Sequence, residues 1–187
     1  MGSELPPGTP STYVSAGMMP QQYADIQPAA ISQNSPLGLI VPMWYQLIAL
    51  ARTLSEQQQQ HALAIVLAAA AGEWATSFVL EKLLDASPKK SKAIDRLSAR
   101  RTAKHPNVVW TLENRGIRKV YLELTGDNPT RQKWWTGWMA SRKVRHDVVH
   151  KGKLTADVAV AKHCIDAAET YIWHLIRVAQ SLGVPTP

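Results

Sequence analysis

The chain has 187 residues, 45% of them hydrophobic, and a formal net charge of +7, which is enough material for one buried core and hence for a single folded domain. Its longest apolar run, Ala62 to Ala71, is about half the length of a membrane-spanning helix, and no charged stretch followed by an apolar segment opens the chain, so we expect a soluble cytoplasmic protein without membrane contact. Cys164 is the only cysteine, which excludes an intramolecular disulfide and a cysteine-based zinc cluster and fits a small core residue.

Residues 1–38 are rich in Pro, Gly, Ser and Gln and have no periodic apolar pattern. Ordering them would cost conformational entropy that little apolar burial offsets. We therefore predict a flexible N-terminal tail, followed by a helical domain over residues 39–187.

The first two predicted helices follow the tail. Pro42 suits the first turn of a short helix, and Ser55 with Gln58 three residues later forms a capping-box pattern for a long helix to about Asp85. Apolar residues recur along the long helix at spacings of three and four, which predicts a stripe that faces the core. The stripe consists of Leu63, Val66, Leu67, Ala70, Trp74, Phe78 and Leu84.

Further helices are predicted after Ser87-Pro88. A weak helix lies near residues 94–104, the next carries Leu112 to Leu124 and stops at Gly126, and Thr130 can cap another. The last helix has the most regular pattern, with apolar residues from Val158 to Leu182 in unbroken steps of three and four. No segment has a strand pattern. We predict an all-α fold, an antiparallel bundle of four to five helices.

Positive charge is concentrated between Ala86 and Lys153. This part of the chain contains 17 Lys and Arg against 5 Asp and Glu, whereas the remainder contains 4 and 9. A basic block of this kind attracts polyanions, so the charge favours nucleic acid as a partner. The alternative is a solvated surface whose carboxylate partners lie on other helices.

A segment rich in Arg and His precedes the last helix. Arg145 and His150 are separated by four residues, and the segment ends Val148-Val149-His150-Lys151-Gly152. This pattern resembles the signature of the HEPN superfamily, in which an Arg and a His, four to six residues apart, precede the final helix of a helical bundle. Many members carry Asn directly after the Arg, where this chain has His146.

The resemblance implies a metal-independent endoribonuclease, of the toxin or defence type, that needs no cofactor and uses the 2′-hydroxyl of RNA as its nucleophile. His150 would transfer protons, because imidazole titrates near neutral pH. Arg145 would stabilise the crowded phosphate with its permanent charge. His146 would stand in for the usual Asn, and Asp147 would orient a neighbour.

The spacing also bears on assembly. Residues five apart on a regular helix diverge by about 140°, so Arg145 and His150 face one phosphate only if the helix starts or kinks inside the motif, or if a second subunit contributes. HEPN proteins are commonly dimers, and we expect a homodimer. The resemblance further implies an antitoxin or a nucleotidyltransferase-type protein as a partner.

Other residues are candidates for RNA contacts. Trp134, Trp135 and Trp138 alternate with basic residues, which suits base stacking, although helical spacing favours a core position for the last two. Basic side chains are expected to hold the RNA backbone or, alternatively, to solvate a loop. They are Lys89, Lys90, Lys92, Arg100, Arg101, Arg131, Arg142, Lys151 and Lys153.

Alternative interpretations remain open. His146 and His150 are four apart, as in the zinc-protease pattern His-Glu-x-x-His, with Glu169 or His163 as a conceivable third ligand. The motif residues could also serve only to cap and pair helix ends. Glu73, on a half-buried side of the long helix, could orient Arg145 or form a rim salt bridge. A HEPN-like module that binds nucleic acid or a protein without cleavage is the second functional class, and a helix-turn-helix DNA binder is disfavoured.

Overall fold

A computed structural model describes residues 41–88, 91–102, 110–152 and 155–186. The predicted tail lies outside the described residues, which form helices and connections without a strand, so the all-α prediction is confirmed. The helices are α1 (Met43–Glu56), α2 (His61–Ala86), α3 (Lys92–Thr102), α4 (Arg115–Thr125), α5 (Trp134–Lys151) and α6 (Val158–Ser181), with a 3-10 turn at Pro129–Arg131 before α5.

Helices α1, α2, α5 and α6 form a four-helix bundle, and consecutive members are antiparallel. Trp44 at the start of α1 packs on Phe78 near the end of α2, with ring centroids 4.9 Å apart. The central helices α2 and α6 are parallel, because Thr76 is hydrogen-bonded to Tyr171 and, nearer the two helix starts, Ile65 packs with Cys164. Helices α3 and α4 pack together beside this bundle.

Several helix ends follow the predicted signals. Gly126 ends α4 in the left-handed conformation at φ 75°, and Asp157 caps α6 by accepting a hydrogen bond from the Val160 N–H. Two predicted caps were wrong. Ser55 lies in the last turn of α1, where Leu54 and Ser55 are buried. Thr130 lies inside the 3-10 turn, which Asn128 caps by accepting the Thr130 N–H, and α5 begins after Lys133 without a side-chain cap.

The core side of α2 is lined by small residues, including Ala64, Ala68, Ala71 and Ala75, all at most 1% exposed. Of the predicted stripe, Leu67, Phe78 and Leu84 pack against the core, whereas Leu63 is 45% and Trp74 52% exposed. The prediction was wrong for Leu63 and Trp74, because α2 is apolar on every side from Ala62 to Gly72, so spacing alone cannot tell which face is buried. Small side chains let neighbouring helices approach closely, and this decides the orientation.

Gly72 lies where the Trp138 side chain of α5 packs directly against the backbone of α2. A Cβ atom at this position would lie 2.9 Å from Cζ3 of Trp138 and closer still to Cη2. The indole, which is 1% exposed, therefore occupies the space that any side chain at position 72 would need.

By length and composition alone, α2 could cross a membrane. However, 56% of its most apolar 18-residue window is buried inside the bundle. The core helices of many proteins that never enter a membrane share these properties, so the finding is weak support for a membrane span.

Candidate functional site

The motif lies inside α5. It precedes the last helix, as expected, but no helix starts inside it, since α5 continues to Lys151 and ends at Gly152, which has φ 63° and donates its N–H to the Asp147 carbonyl. The reason is the pair Val144 and Val148, one turn apart, which lie half-buried and buried on the inner side of the helix. Their burial favours continuing the helix through the motif.

Arg145 and His150 consequently point in different directions. They lie on a helix that runs unbroken from Trp134 to Lys151, so their side chains diverge by about 140°. Arg145 is half-buried and makes no hydrogen bond or ion pair with any residue that the structure describes. His150 is exposed. The condition that a kink brings the two together within one chain is not met.

His146 and His150 instead form a pair. Their ring centroids are 4.6 Å apart, and both side chains are exposed. Lys143, also exposed, lies three residues before His146 and seven before His150, which places all three on one face of α5. We call Lys143, His146 and His150 the basic ridge.

Lys143 is absent from the predicted site residues. The signal for it was available in the spacing, because positions 143, 146 and 150 repeat the steps of three and four that define a helix face. The family pattern directs attention to Arg145, which lies about 100° around the helix from His146. The cation nearest in direction to the two imidazoles is therefore Lys143.

Asp147 is engaged along its own helix. Its Oδ1 lies 2.7 Å from Nζ of Lys151, and the Asp147 side chain is 19% exposed. The predicted RNA-binding residue Lys151 therefore shares its charge with a carboxylate, although its side chain remains 56% exposed. An orienting role of Asp147 towards either histidine stays a prediction.

Arg142 and Glu73 form an ion pair that bears on the predictions for both residues. Arg142 is only 11% exposed, and its Nη1 lies 2.5 Å from Oε1 of Glu73, while its Nε donates to Glu113. Its guanidinium also lies 5.6 Å from the Trp138 ring centroid. Arg142 is thus enclosed by two carboxylates and an aromatic ring, so it is not available to RNA. Of the two alternatives for Glu73, the structure shows the salt bridge, with Arg142 as its cation, because a largely buried carboxylate requires a cation in contact.

Trp134 is likewise not a free stacking platform. Its ring packs against Tyr171 and His174, each with centroids 5.0 Å away. Trp138 stacks on Tyr171 at 4.3 Å and is buried, as predicted, and Cys164 is 2% exposed. Helix α6 supplies the surfaces that cover these indoles.

The remaining predicted RNA contacts are dispersed. Lys92 and Arg131 are exposed, but Arg131 precedes the start of α5, more than about 20 Å along the helix from His150. Lys89, Lys90 and Lys153 lie outside the described residues, and Arg100 and Arg101 belong to α3 without described side chains. The described residues therefore do not gather these cations into one site.

A polar cluster of different composition lies at the opposite end of α5. Asp127 accepts hydrogen bonds from Tyr121, at 3.0 Å, and Gln132, at 2.5 Å, and His174 Nε2 lies 2.7 Å from the same carboxylate. Burial and the neighbouring Asp127 raise the pKa of Tyr121 well above its ordinary value. The cluster ties the connection between α4 and α5 to α6.

Glu169, one candidate for the third ligand in the zinc interpretation, is already bound to a cation. Glu169 forms a two-pronged pair with Arg52, at 2.9 and 2.6 Å. Burial raises the pKa of Glu169, while the hydrogen bond from Arg52 acts in the opposite direction. Within the described ranges, no group of three His, Cys, Asp or Glu side chains has a geometry that could hold a metal ion.

Comparisons with protein-family models, with curated proteins and with solved structures found no match. The function is therefore inferred from the residues and their geometry.

Proposed function

We propose that this protein is a metal-independent endoribonuclease of the HEPN type, a toxin or defence effector that cleaves RNA through its 2′-hydroxyl. The observation that carries the proposal is the basic ridge: two exposed imidazoles with ring centroids 4.6 Å apart, preceded by Lys143 on the same helix face. Cleavage without a metal requires a proton acceptor, a proton donor and a positive charge. The ridge supplies all three types of group.

The reaction assigns one role to each imidazole. One neutral imidazole takes the proton from the 2′-hydroxyl, whose oxygen attacks the phosphorus atom. The other, protonated, gives a proton to the departing 5′-oxygen, so that the products are a 2′,3′-cyclic phosphate and a 5′-hydroxyl. Imidazole suits both roles near neutral pH. Lys143 contributes charge to the phosphate oxygens as the bond to the leaving group breaks.

For Arg145 to act on the same phosphate as His150, a second chain is required. Since Arg145 diverges from His150 on an unbroken helix, one chain does not place both side chains on one phosphate. A homodimer would allow Arg145 of one copy to approach RNA that is bound by the ridge of the other. A half-buried guanidinium that has no carboxylate partner among the described residues is suited to bind a phosphate, because none of those residues neutralises its charge.

A non-catalytic module that binds RNA or a protein partner is the second candidate. It is favoured by the openness of the ridge, because both histidines are exposed on a helix surface, whereas catalytic sites are usually concave.

The test is cleavage of tRNA and total RNA in the presence of EDTA. We expect the parent protein to cleave RNA but not DNA, and His150→Ala to lose cleavage by at least the factor of about 100 that a general acid or base contributes. Lys119→Ala, which removes a lysine that is 70% exposed on α4, is the control and should retain activity. Activity lost in EDTA would indicate zinc instead, and RNA that is bound but never cut would support the second candidate.

A further inference from the structure

His146 and His150 have the arrangement of a chelating pair. They lie four residues apart, about one turn of α5, and their ring centroids are 4.6 Å apart. Two histidines with this spacing bind one metal ion from one face of a helix in the zinc-protease pattern. The spacing alone is common, and the surroundings of these two rings add to it.

Both rings have nitrogen atoms available to a metal ion. The two side chains are exposed, and neither forms a hydrogen bond or an ion pair with any residue that the structure describes. The adjacent carboxylate, Asp147, lies about 100° around the helix from His146 and is paired with Lys151 at 2.7 Å. Neutral imidazole nitrogens are the commonest protein ligands of transition metals.

Two of the other histidines in the described ranges are already bound to side chains. His61 lies 3.1 Å from the Ser55 hydroxyl, and His174 lies 2.7 Å from Asp127. Neither has a second imidazole in contact. The pair on α5 therefore differs from these histidines both in its exposure and in offering two nitrogen donors to one ion.

The ring separation fits a shared ion. Bonds from Zn²⁺ to imidazole nitrogen are about 2.0 to 2.1 Å long in tetrahedral geometry, which places two such nitrogens about 3.4 Å and their ring centroids about 5 Å apart. A small rotation of the exposed side chains covers the difference from the observed 4.6 Å. The helix beneath them is held in place, because Val148, between the two histidines, is buried.

We propose that His146 and His150 together bind one divalent cation of the class that prefers imidazole, with Zn²⁺ as its representative, and that water completes the coordination. In the described part of the chain, no third His, Cys, Asp or Glu side chain is placed to join the pair. Lys143, one turn before His146 on the same face, repels a cation. We therefore expect weaker binding than at a site with three protein ligands.

A bound cation would block the proposed reaction, in contrast to the zinc-protease interpretation, in which the metal is required. A ring nitrogen whose lone pair holds the cation cannot accept a proton and carries none to donate. Zn²⁺ should therefore inhibit RNA cleavage, and removing it with EDTA should restore cleavage. Only this regulation rests on the proposed function; the binding of the cation does not.

Titration calorimetry of the full chain with ZnCl₂, NiCl₂ and MgCl₂ tests the site. We expect one Zn²⁺ or Ni²⁺ bound through the pair in each chain, and no binding of Mg²⁺, which prefers oxygen ligands. His146→Ala and His150→Ala should each weaken Zn²⁺ binding about 100-fold, because a single imidazole lacks the gain from a second tethered donor.

A double variant controls for the number of histidines. His150→Ala combined with Leu122→His moves one imidazole to a position on α4 where the native side chain is 39% exposed. It should bind Zn²⁺ no better than His150→Ala alone. The substituted positions are all exposed, and an unchanged urea midpoint in the absence of metal checks that each variant folds.

Three results would overturn the site: no saturable binding of Zn²⁺ by the parent, undiminished binding by folded His146→Ala or His150→Ala, or binding restored by Leu122→His. Each of them shows that the spacing of the two histidines on α5 does not create the affinity.

The RNA assay keeps the two proposals separable. A chain that binds Zn²⁺ through both histidines but never cuts RNA leaves the metal site standing and removes the ribonuclease. A chain that cuts RNA but does not bind Zn²⁺ removes the site alone. Cleavage that is undiminished when the site is saturated with Zn²⁺ refutes the regulation.

Discussion

Replacing Gly72 by Ala tests how closely α2 and α5 are packed. In a helix interior, Ala is more favourable than Gly by about 1 kcal/mol, so the substitution would stabilise α2 if space were available. At position 72 the added methyl group overlaps the Trp138 ring, whose Cζ3 would lie 2.9 Å away. The ring is held from its other side by stacking on Tyr171 at 4.3 Å.

The magnitude follows from these opposing effects. Overpacking a core costs about 1 to 3 kcal/mol, and the trapped ring places this site at the upper end. Once the gain in helix propensity is subtracted, the free energy of unfolding should fall by about 2 kcal/mol. With a urea m-value of about 2 kcal/mol/M, the midpoint of unfolding should fall by about 1 M.

Gly137 provides the matched control. It also lies inside a helix, but a Cβ atom there would meet only Ala167 Cβ at 3.9 Å, an ordinary contact. Gly137→Ala should therefore raise the urea midpoint by up to about 0.5 M. If both substitutions stabilise the protein equally, the close approach of α2 to Trp138 does not constrain the fold.

Two further predictions concern single side chains. Burial raises the pKa of the Cys164 thiol to about 11, so Ellman's reagent should not label it at pH 8 until urea unfolds the chain, while the exposed thiol of Leu63→Cys reacts at once. Because the pKa is raised in the folded state, the stability that the neutral thiol contributes is complete below about pH 9 and is lost towards pH 11; a urea midpoint that is constant over this range would contradict the burial. Lys143→Ala should reduce the slope of log binding constant against log salt for single-stranded RNA by about 0.7, the value of one phosphate contact. Lys119→Ala, which removes a lysine that is 70% exposed on α4, should leave the slope unchanged, and equal slopes for all three proteins would exclude the ridge as a phosphate site.

The sequence is most informative where one signal dominates. The apolar repeat of α6 and the glycine at position 126 predict a helix and a helix end, because neither has a competing interpretation. The orientation of α2 has no such signal, since Ala, Leu and Val surround the helix. The orientation is decided by which side lets neighbouring helices come closest, and this depends on Gly72 and the small residues on other turns of the same face.

For the candidate site, too, the sequence predicts some features and not others. The segment from Arg142 to His150 could be singled out from charge and spacing, but not the partners of its members. Arg142 is enclosed because Glu73 and Glu113, far apart in the sequence, converge on it. The importance of Lys143 depends on α5 being continuous through the motif, which follows from the inner positions of Val144 and Val148 and is not part of the family pattern.

Gly72, which has no side chain, also links helix packing to the ion pair between Arg142 and Glu73. It lets the Trp138 indole enter between two helices, and the same indole lies beneath the Arg142 guanidinium that meets Glu73. A larger residue at 72 would demand a smaller one at 138, which would in turn leave the cation without its aromatic support. Positions 72, 138 and 142 should therefore change in evolution as one unit, so that a relative with a different residue at one of them is expected to differ at the other two.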